Sequence, residues 1–469
     1  MKALLHNIRL VLVIFILVFI GLVAGVVVQE KRSSNQLLAA AGENKQALAS
    51  RYSQAGSIYS KDGYTLAHSE EGVRMYAEDP GMAASCLQIV GDYTHNIANT
   101  IESEYQGFLL GTGRPLMTQL QLDIKGKGLD GDDITLTLNA ELNQLAWDLM
   151  GDQRGAIVML DYTTGDVLTS VSTPTTLPEN VISYTEIPDS ALYNRAFLGT
   201  YAPGSSFKYI TAAAWYTAPE YDPNLTVECL GSTPLIEPDG VKEYGDSTHG
   251  EVDLQQALNV SCNHFFGEIG IIVGDKHLRQ TVLEFGIGYP ISVDRLSVSQ
   301  ASFVLPDRDS TRSWISIGQP VADSELAITP LQLAMTIGAV ANDGVMMTPH
   351  IIDHMITPLD TIYQERQVRD LLKVCDEVTA QQLQTWLIGS VAEGSGNAAQ
   401  VEGYVIGGKT GTAEVEGQEK DNAIFVGFID DPDHPYAIAV ICEDAGFGSA
   451  NSAPIARQLF QRAIEIDQR

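Results

Sequence analysis

Near the middle of the chain a serine and a lysine stand three residues apart, in Tyr201-Ala-Pro-Gly-Ser205-Ser-Phe-Lys208. A serine hydroxyl is a poor nucleophile at neutral pH unless a base takes its proton, and lysine serves as that base only when burial lowers its pKa. The apolar run over residues 209–216 predicts such burial. Pro203 and Gly204 predict a tight turn opening a helix, on which residues three apart share a face. Among the twelve lysines only Lys208 has a serine three places before it. Taken alone, the pair leaves a hydrolase, a sensor and an accident of sequence all open.

Two downstream motifs narrow the choice. Ser-x-Asn occurs as Ser33-Ser-Asn35, Ser261-Cys-Asn263, Ser395-Gly-Asn397 and Ser449-Ala-Asn451, and only the second lies in a helix-compatible, apolar setting. Lys409-Thr-Gly411 occurs once, between Gly407-Gly408 and Thr412-Ala-Glu-Val415. Glycines on both sides of Lys409 and Thr410 allow close backbone approach at a strand. On these residues alone, Ser261 could be a helix-capping serine, Asn263 a buried amide and Lys409 an exposed strand lysine.

In the order Ser-x-x-Lys, Ser-x-Asn, Lys-Thr-Gly, the chain resembles a class B penicillin-binding protein, a membrane-anchored D,D-transpeptidase of peptidoglycan synthesis. Further matches are Gly155-Ala-Ile-Val-Met-Leu-Asp161, Asn194-Arg-Ala196, His249-Gly250, Ser316-Ile-Gly-Gln319, Thr329-Pro-Leu-Gln-Leu-Ala334 and Gly408-Lys-Thr-Gly-Thr-Ala413. The resemblance covers nearly everything from residue 130 onward. It implies Ser205 as nucleophile, Lys208 as base, Ser261 as proton relay, Asn263 as holder of Lys208 and of the substrate amide, and Lys409 as positive charge. It also implies Thr410, Gly411 and Thr412 as the binding strand for a terminal carboxylate, and the backbone N–H groups of Ser205 and Thr412 as oxyanion hole. The substrates implied are stem peptides ending in D-Ala-D-Ala with an amine acceptor, and β-lactams would be trapped on Ser205. A carboxypeptidase, a serine β-lactamase, a β-lactam sensor and a wall-synthesis scaffold are the rival readings. Elongation, division and sporulation remain equally open as settings.

The elements expected to position these residues form an α+β, serine β-lactamase-like domain with a central antiparallel sheet flanked by helices. Strands are predicted at 156–160, 167–171, 408–415, 423–429 and 436–442, and helices at 253–272, 330–341 and from Pro454. The division expected is a head over 1–9, a transmembrane anchor over 10–28, a stalk and reduced pedestal over 29–150, and the transpeptidase domain over 151–469. Leu10 to Val28 is uncharged and close to the roughly 20 residues that cross a bilayer. Residues 36–51 suggest a stalk helix, and Gly56 to Ala67 two short strands about Asp62-Gly63. Where the family has Arg-Gly-x-Ile-x-Asp-Arg-Asn-Gly, this chain has Ala55 for the arginine and Ser60-Lys-Asp62 for the Asp-Arg-Asn. The stretch before the catalytic domain is too short for a glycosyltransferase module, so a membrane glycan polymerase is the expected partner and the catalytic domain is expected outside the cytoplasmic membrane.

Composition argues against one class. A net charge of −31 over 469 residues opposes nucleic-acid binding, which needs a basic face. Five scattered cysteines lack any Cys-x-x-Cys pair, and nine histidines show no ligand spacing, so no disulfide framework, metal or cofactor is expected. His249 is expected to be structural.

Overall fold

Stretches at both ends of the catalytic region become strands buried on both faces. The computed structural model describes Arg9, residues 12–21, Val23 and residues 50–468 apart from 186, 233–239 and 416. Gly155–Asp161 (β1) and Val167–Thr173 (β2) form a hairpin whose strand residues are all buried but Asp161. Ile406–Ala413 (β3), Asn422–Ile429 (β4) and Tyr436–Cys442 (β5) come from the other end of the chain. They join the hairpin in one five-stranded sheet of order β3-β4-β5-β1-β2. Tyr436 pairs with Asp161 and Cys442 with Gly155, so the sheet closes only when both ends of the region are present.

Successive side chains of a strand point to opposite faces, and the sheet divides its core accordingly. Ala156, Val158 and Leu160 face one hydrophobic cluster, whereas Ile157 and Met159 face another. The helices beside these faces follow local signals. Lys208–Tyr216 (α1) is apolar almost throughout and buried except at its last residue. Leu254–Val260 (α2) opens with a capping box between Asp253 and Gln256, which satisfies two orphan N–H groups reciprocally. Asn263–Glu284 (α3) follows after a break at Ser261 and Cys262. The expected single helix over 253–272 is therefore two. Pro330–Ala341 (α4) has Pro330 in its first turn and Thr329 as N-cap, and it lies on the first sheet face. Ser452–Asp467 (α5) lays Ile455, Leu459, Phe460 and Ala463 on the second. It begins two residues before Pro454.

The earlier module is built around a second sheet. Its order is Ile362–Glu365, Ile352–Ile356, Asp133–Leu136, Ile58–Tyr59, Thr65–Glu70 and Val73–Tyr76. Two of these strands come from the later region, so residues 50–150 alone do not complete it. Conversely, the helix Ala140–Met150 inserts Leu142, Ala146 and Met150 beneath α5, in the core of the catalytic sheet. The two short strands expected about Asp62-Gly63 are present, with Ile58 opposite Ala67.

The stalk helix expected over 36–51 lies outside the described residues but for 50 and 51, and the anchor expected over 10–28 is described only over 12–21 and at 23. Residues 12–21 are helical, and their large apolar side chains are exposed. Among the described residues no helix is long and apolar enough to cross a membrane.

Candidate active site

Gly204–Phe207 forms a 3-10 turn that passes into α1 at Lys208. The tight turn expected to open a helix is thus a 3-10 turn, in which residues three apart are nearly eclipsed. Gly204 has φ of 53°, and a Cβ there would stand 2.3 Å from the Thr412 carbonyl oxygen. Only glycine lets the turn that carries Ser205 rest on β3.

Lys208 is fully buried. Its Nζ donates to the Ser261 carbonyl at 2.6 Å, to Asn263 Oδ1 at 2.7 Å and to Ser261 Oγ at 3.2 Å. Burial pulls its pKa down to about 8, against the opposing pull of Glu243 and Cys262. The break between α2 and α3 makes these contacts possible. Ser261 adopts left-handed φ and ψ of 58° and 40°, which turns the chain so that its carbonyl and hydroxyl both meet the amine. The Asn263 side chain is held at its other end, where Nδ2 donates to the Lys242 carbonyl at 2.8 Å.

Lys409 reaches the same hydroxyl from the sheet. It is fully buried on β3, opposite Val426 of β4, and its Nζ donates to Ser261 Oγ at 3.0 Å. Burial first, and then the charge of Lys208, hold its pKa well below the ordinary lysine range. Two buried amines on one hydroxyl titrate together, and the pair resists carrying two protons. Thr410 Oγ1 donates to Ser395 Oγ at 2.9 Å, and Lys409 Nζ lies 3.4 Å from that oxygen. Gly411 faces the nucleophile turn from β3; a Cβ there would be 2.7 Å from the Pro203 carbonyl oxygen.

Ser205, Ser261, Asn263, Ser395, Thr410 and Thr412 line one cleft of about 480 Å³. Lys208 and Lys409 supply its floor through their bonds to Ser261, and Gly411 packs behind it. Every site residue singled out from the sequence thus lies in or against one cleft. Ser395 was missed. It belongs to one of the four Ser-x-Asn matches, and Ser449, which lines the same cleft, to another; nothing in the local sequence of either marks it. Trp314, Tyr244 and Phe447 also line the cleft, the last two as an edge-to-face pair with centroids 5.0 Å apart.

Beside Asn263, four further side chains converge. Cys262 Sγ lies 3.2 Å from Glu243 Oε1, and Cys229 Sγ lies 3.5 Å from both Glu243 Oε1 and His249 Nδ1. Sequence spacing carried no sign of this grouping.

A serine, two buried lysines and an asparagine converging across a helical region and the edge strand of an antiparallel sheet define the class of serine acyltransferases that penicillin traps. Residues 155–461 match the penicillin-binding protein transpeptidase domain, and the chain belongs to that family. Among its relatives is the peptidoglycan D,D-transpeptidase PbpA of Mycolicibacterium smegmatis, 29% identical over 456 residues, covering 90% of this chain and 91% of the relative. The D,D-transpeptidase domain of a peptidoglycan glycosyltransferase from Eggerthella lenta is similar in structure, with a TM-score of 0.78 and 27% identity over 88% of this chain and 99% of that one. Penicillin-binding protein A from M. tuberculosis, solved as a ceftriaxone acyl-enzyme complex, gives a TM-score of 0.80 at 25% identity, covering 89% of this chain and all of that one.

Proposed function

We propose that the chain is a peptidoglycan D,D-transpeptidase that works through an acyl-enzyme on Ser205. The observation that carries this reading is the meeting of Lys208 Nζ and Lys409 Nζ at the Ser261 hydroxyl, with Asn263 holding Lys208, in the cleft that Ser205 lines. Ser205 Oγ attacks the carbonyl carbon between the two terminal D-alanines, and neutral Lys208 takes the hydroxyl proton. The backbone N–H groups of Ser205 and Thr412 receive the negative charge that develops on the carbonyl oxygen. As the C–N bond breaks, a proton passes through Ser261 to the leaving amine of D-alanine. The amine of a neighbouring stem peptide then attacks the ester, the new amide forms, and Ser205 recovers its proton.

Shared protonation suits this sequence. A substrate carboxylate against the hydroxyls of Thr410 and Thr412 favours a proton on the adjacent Lys409. A cation there disfavours one on Lys208, so substrate binding itself readies the base. Gly411 keeps the binding strand against the nucleophile turn.

Labelling with a fluorescent penicillin tests the assignment. A stable covalent adduct is expected on the wild-type chain and none on Ser205→Ala. Undiminished labelling of the variant would sink the nucleophile, and an adduct hydrolysed within minutes would mark a β-lactamase instead. No labelling of the folded wild type would favour a scaffold.

The same reading includes the organisation 1–9 head, 10–28 anchor, 29–150 stalk and pedestal, and 151–469 transpeptidase domain, with the 352–365 hairpin lent to the pedestal sheet. The uncharged run from Leu10 to Val28 supports a single-pass anchor with the catalytic domain outside the cytoplasmic membrane, where its polymer substrate lies. Cross-linking needs glycan strands, which a membrane polymerase partner supplies.

A further inference from the structure

The helix Leu116–Ile124 of the pedestal carries its apolar residues on the outside. Leu116 is 82% exposed, Met117 66%, Leu120 50% and Ile124 77%, whereas the one buried residue is Leu122. At 3.6 residues per turn the four exposed side chains fall within an arc of about 100°, with Leu122 on the opposite side. A helix on a water-facing surface buries such an arc and turns its polar residues out. Here Thr118 and Gln119 flank Leu122 on the inward side instead. The inversion is built in. Buried Arg114 donates to Asp132 Oδ1 at 2.7 Å just before the helix, and Gln119 Nε2 donates to the Gly128 carbonyl at 3.0 Å just after it. An apolar face of this kind marks a contact with a protein or a membrane.

Two observations favour the membrane. The Gly131 N–H donates to the Gln54 carbonyl at 2.8 Å and the Gly56 N–H to the Leu109 carbonyl at 2.9 Å, so the segment carrying the helix is fastened at both ends to residues 54–56. Residues 29–53 join that point to the apolar run ending at Val28, which tethers the pedestal at the end that presents the helix. Charge is the second observation. Lys125 and Lys127 follow Ile124 and are exposed, Lys127 pairing with Asp130 at 2.9 Å. In a chain of net charge −31, most of the surface is repelled by an anionic lipid layer, and lysines beside an apolar arc are what such a layer accepts.

We propose that the helix Leu116–Ile124 lies in the outer interface of the membrane as a second, reversible attachment. Leu116, Met117, Leu120 and Ile124 enter the acyl region, and Lys125 and Lys127 meet anionic headgroups. The inference rests on the single-pass anchor proposed above, and not on the chemistry at Ser205. A tether through residues 10–28 alone leaves the domain free to swivel. The second contact fixes which side of the pedestal faces the bilayer. Because Ala140–Met150 of the same module packs into the catalytic core, the tilt of the active-site cleft is fixed with it.

The test uses the full chain with Cys375→Ser, which leaves only buried native thiols, reconstituted into vesicles of phosphatidylethanolamine and phosphatidylglycerol. A bimane label is placed at Leu120→Cys, at Ile16→Cys in the anchor, or at Val260→Cys at the active-site cleft. Nitroxide-bearing lipid is expected to quench the first two by about half, and the third by less than about a tenth. Adding Leu116→Glu and Ile124→Glu, both at exposed positions, is expected to bring the label at residue 120 down to the level of residue 260. Quenching at residue 16 without quenching at residue 120 would overturn the inference and leave the anchor standing, as when the face docks a protein. A blue-shifted but unquenched label at residue 120 would overturn it in favour of a second copy of the chain. Quenching at neither position would remove anchor and contact together, and quenching that survives both glutamates would refute the role of the apolar arc.

Discussion

Two amines on one hydroxyl give the site its pH response. Lys208 accepts the serine proton only when neutral, and burial has already moved its pKa down to about 8. Below that value the amine holds its proton and cannot act; above it the base is free. The second-order rate of penicillin acylation is therefore expected to rise with pH through an apparent pKa near 8, measured by stopped-flow fluorescence. A rate that stays flat between about pH 6 and 9 would remove Lys208 from the role. Lys208→Arg keeps the charge and loses the base, so acylation is expected to fall by roughly 10²–10⁴-fold with little loss of folding. That these side chains meet was legible in the sequence because each sits in a short, ordered motif. Ser395 was not, since its bond to Thr410 joins residues whose local sequences say nothing of each other.

At the scale of elements, the contact between the nucleophile turn and β3 sets the geometry. Gly411 leaves room for the Pro203 carbonyl, whereas a Cβ there would also meet Ile424 Cβ and Ser206 Cβ at 3.1 Å. Backbone and strand neighbours have little freedom to give way. Gly411→Ala is expected to cost about 1–3 kcal/mol in thermal unfolding, and to slow acylation as the strand backs away from Ser205. Unchanged stability and unchanged acylation together would mean that turn and strand separate freely. The break at Ser261 is the element the sequence misread. Its flanks are apolar and helix-compatible, and a serine at φ of 58° has no local signature; the two buried lysines that meet it come from elsewhere. Strand β3 was read almost to its ends, beginning at Ile406 rather than Gly408, because alternating pairing with β4 extends past the glycines.

Across the whole molecule, two sheets each borrow strands from distant parts of the chain. The pedestal sheet is tied down by Arg74, whose side chain is fully buried and donates to Glu102 at 2.8 Å and to the Gly56 carbonyl at 2.7 Å. Arg74→Met would leave Glu102 as an uncompensated buried carboxylate, expected to cost about 3–5 kcal/mol. Urea unfolding checks this, and a midpoint unchanged from wild type would show that Glu102 finds another partner. The sequence by itself determined the three motifs and their order, the apolar runs that become buried strands, and the helix starts marked by Thr329-Pro330 and Asp253. These are local patterns, written in spacing and side-chain type. Tertiary structure alone decided that residues 352–365 complete the pedestal sheet, that Ala140–Met150 belongs to the catalytic core, and that Cys229, Glu243, His249 and Cys262 meet. Such contacts join residues tens to hundreds of places apart, and only the closing of both sheets brings them within reach.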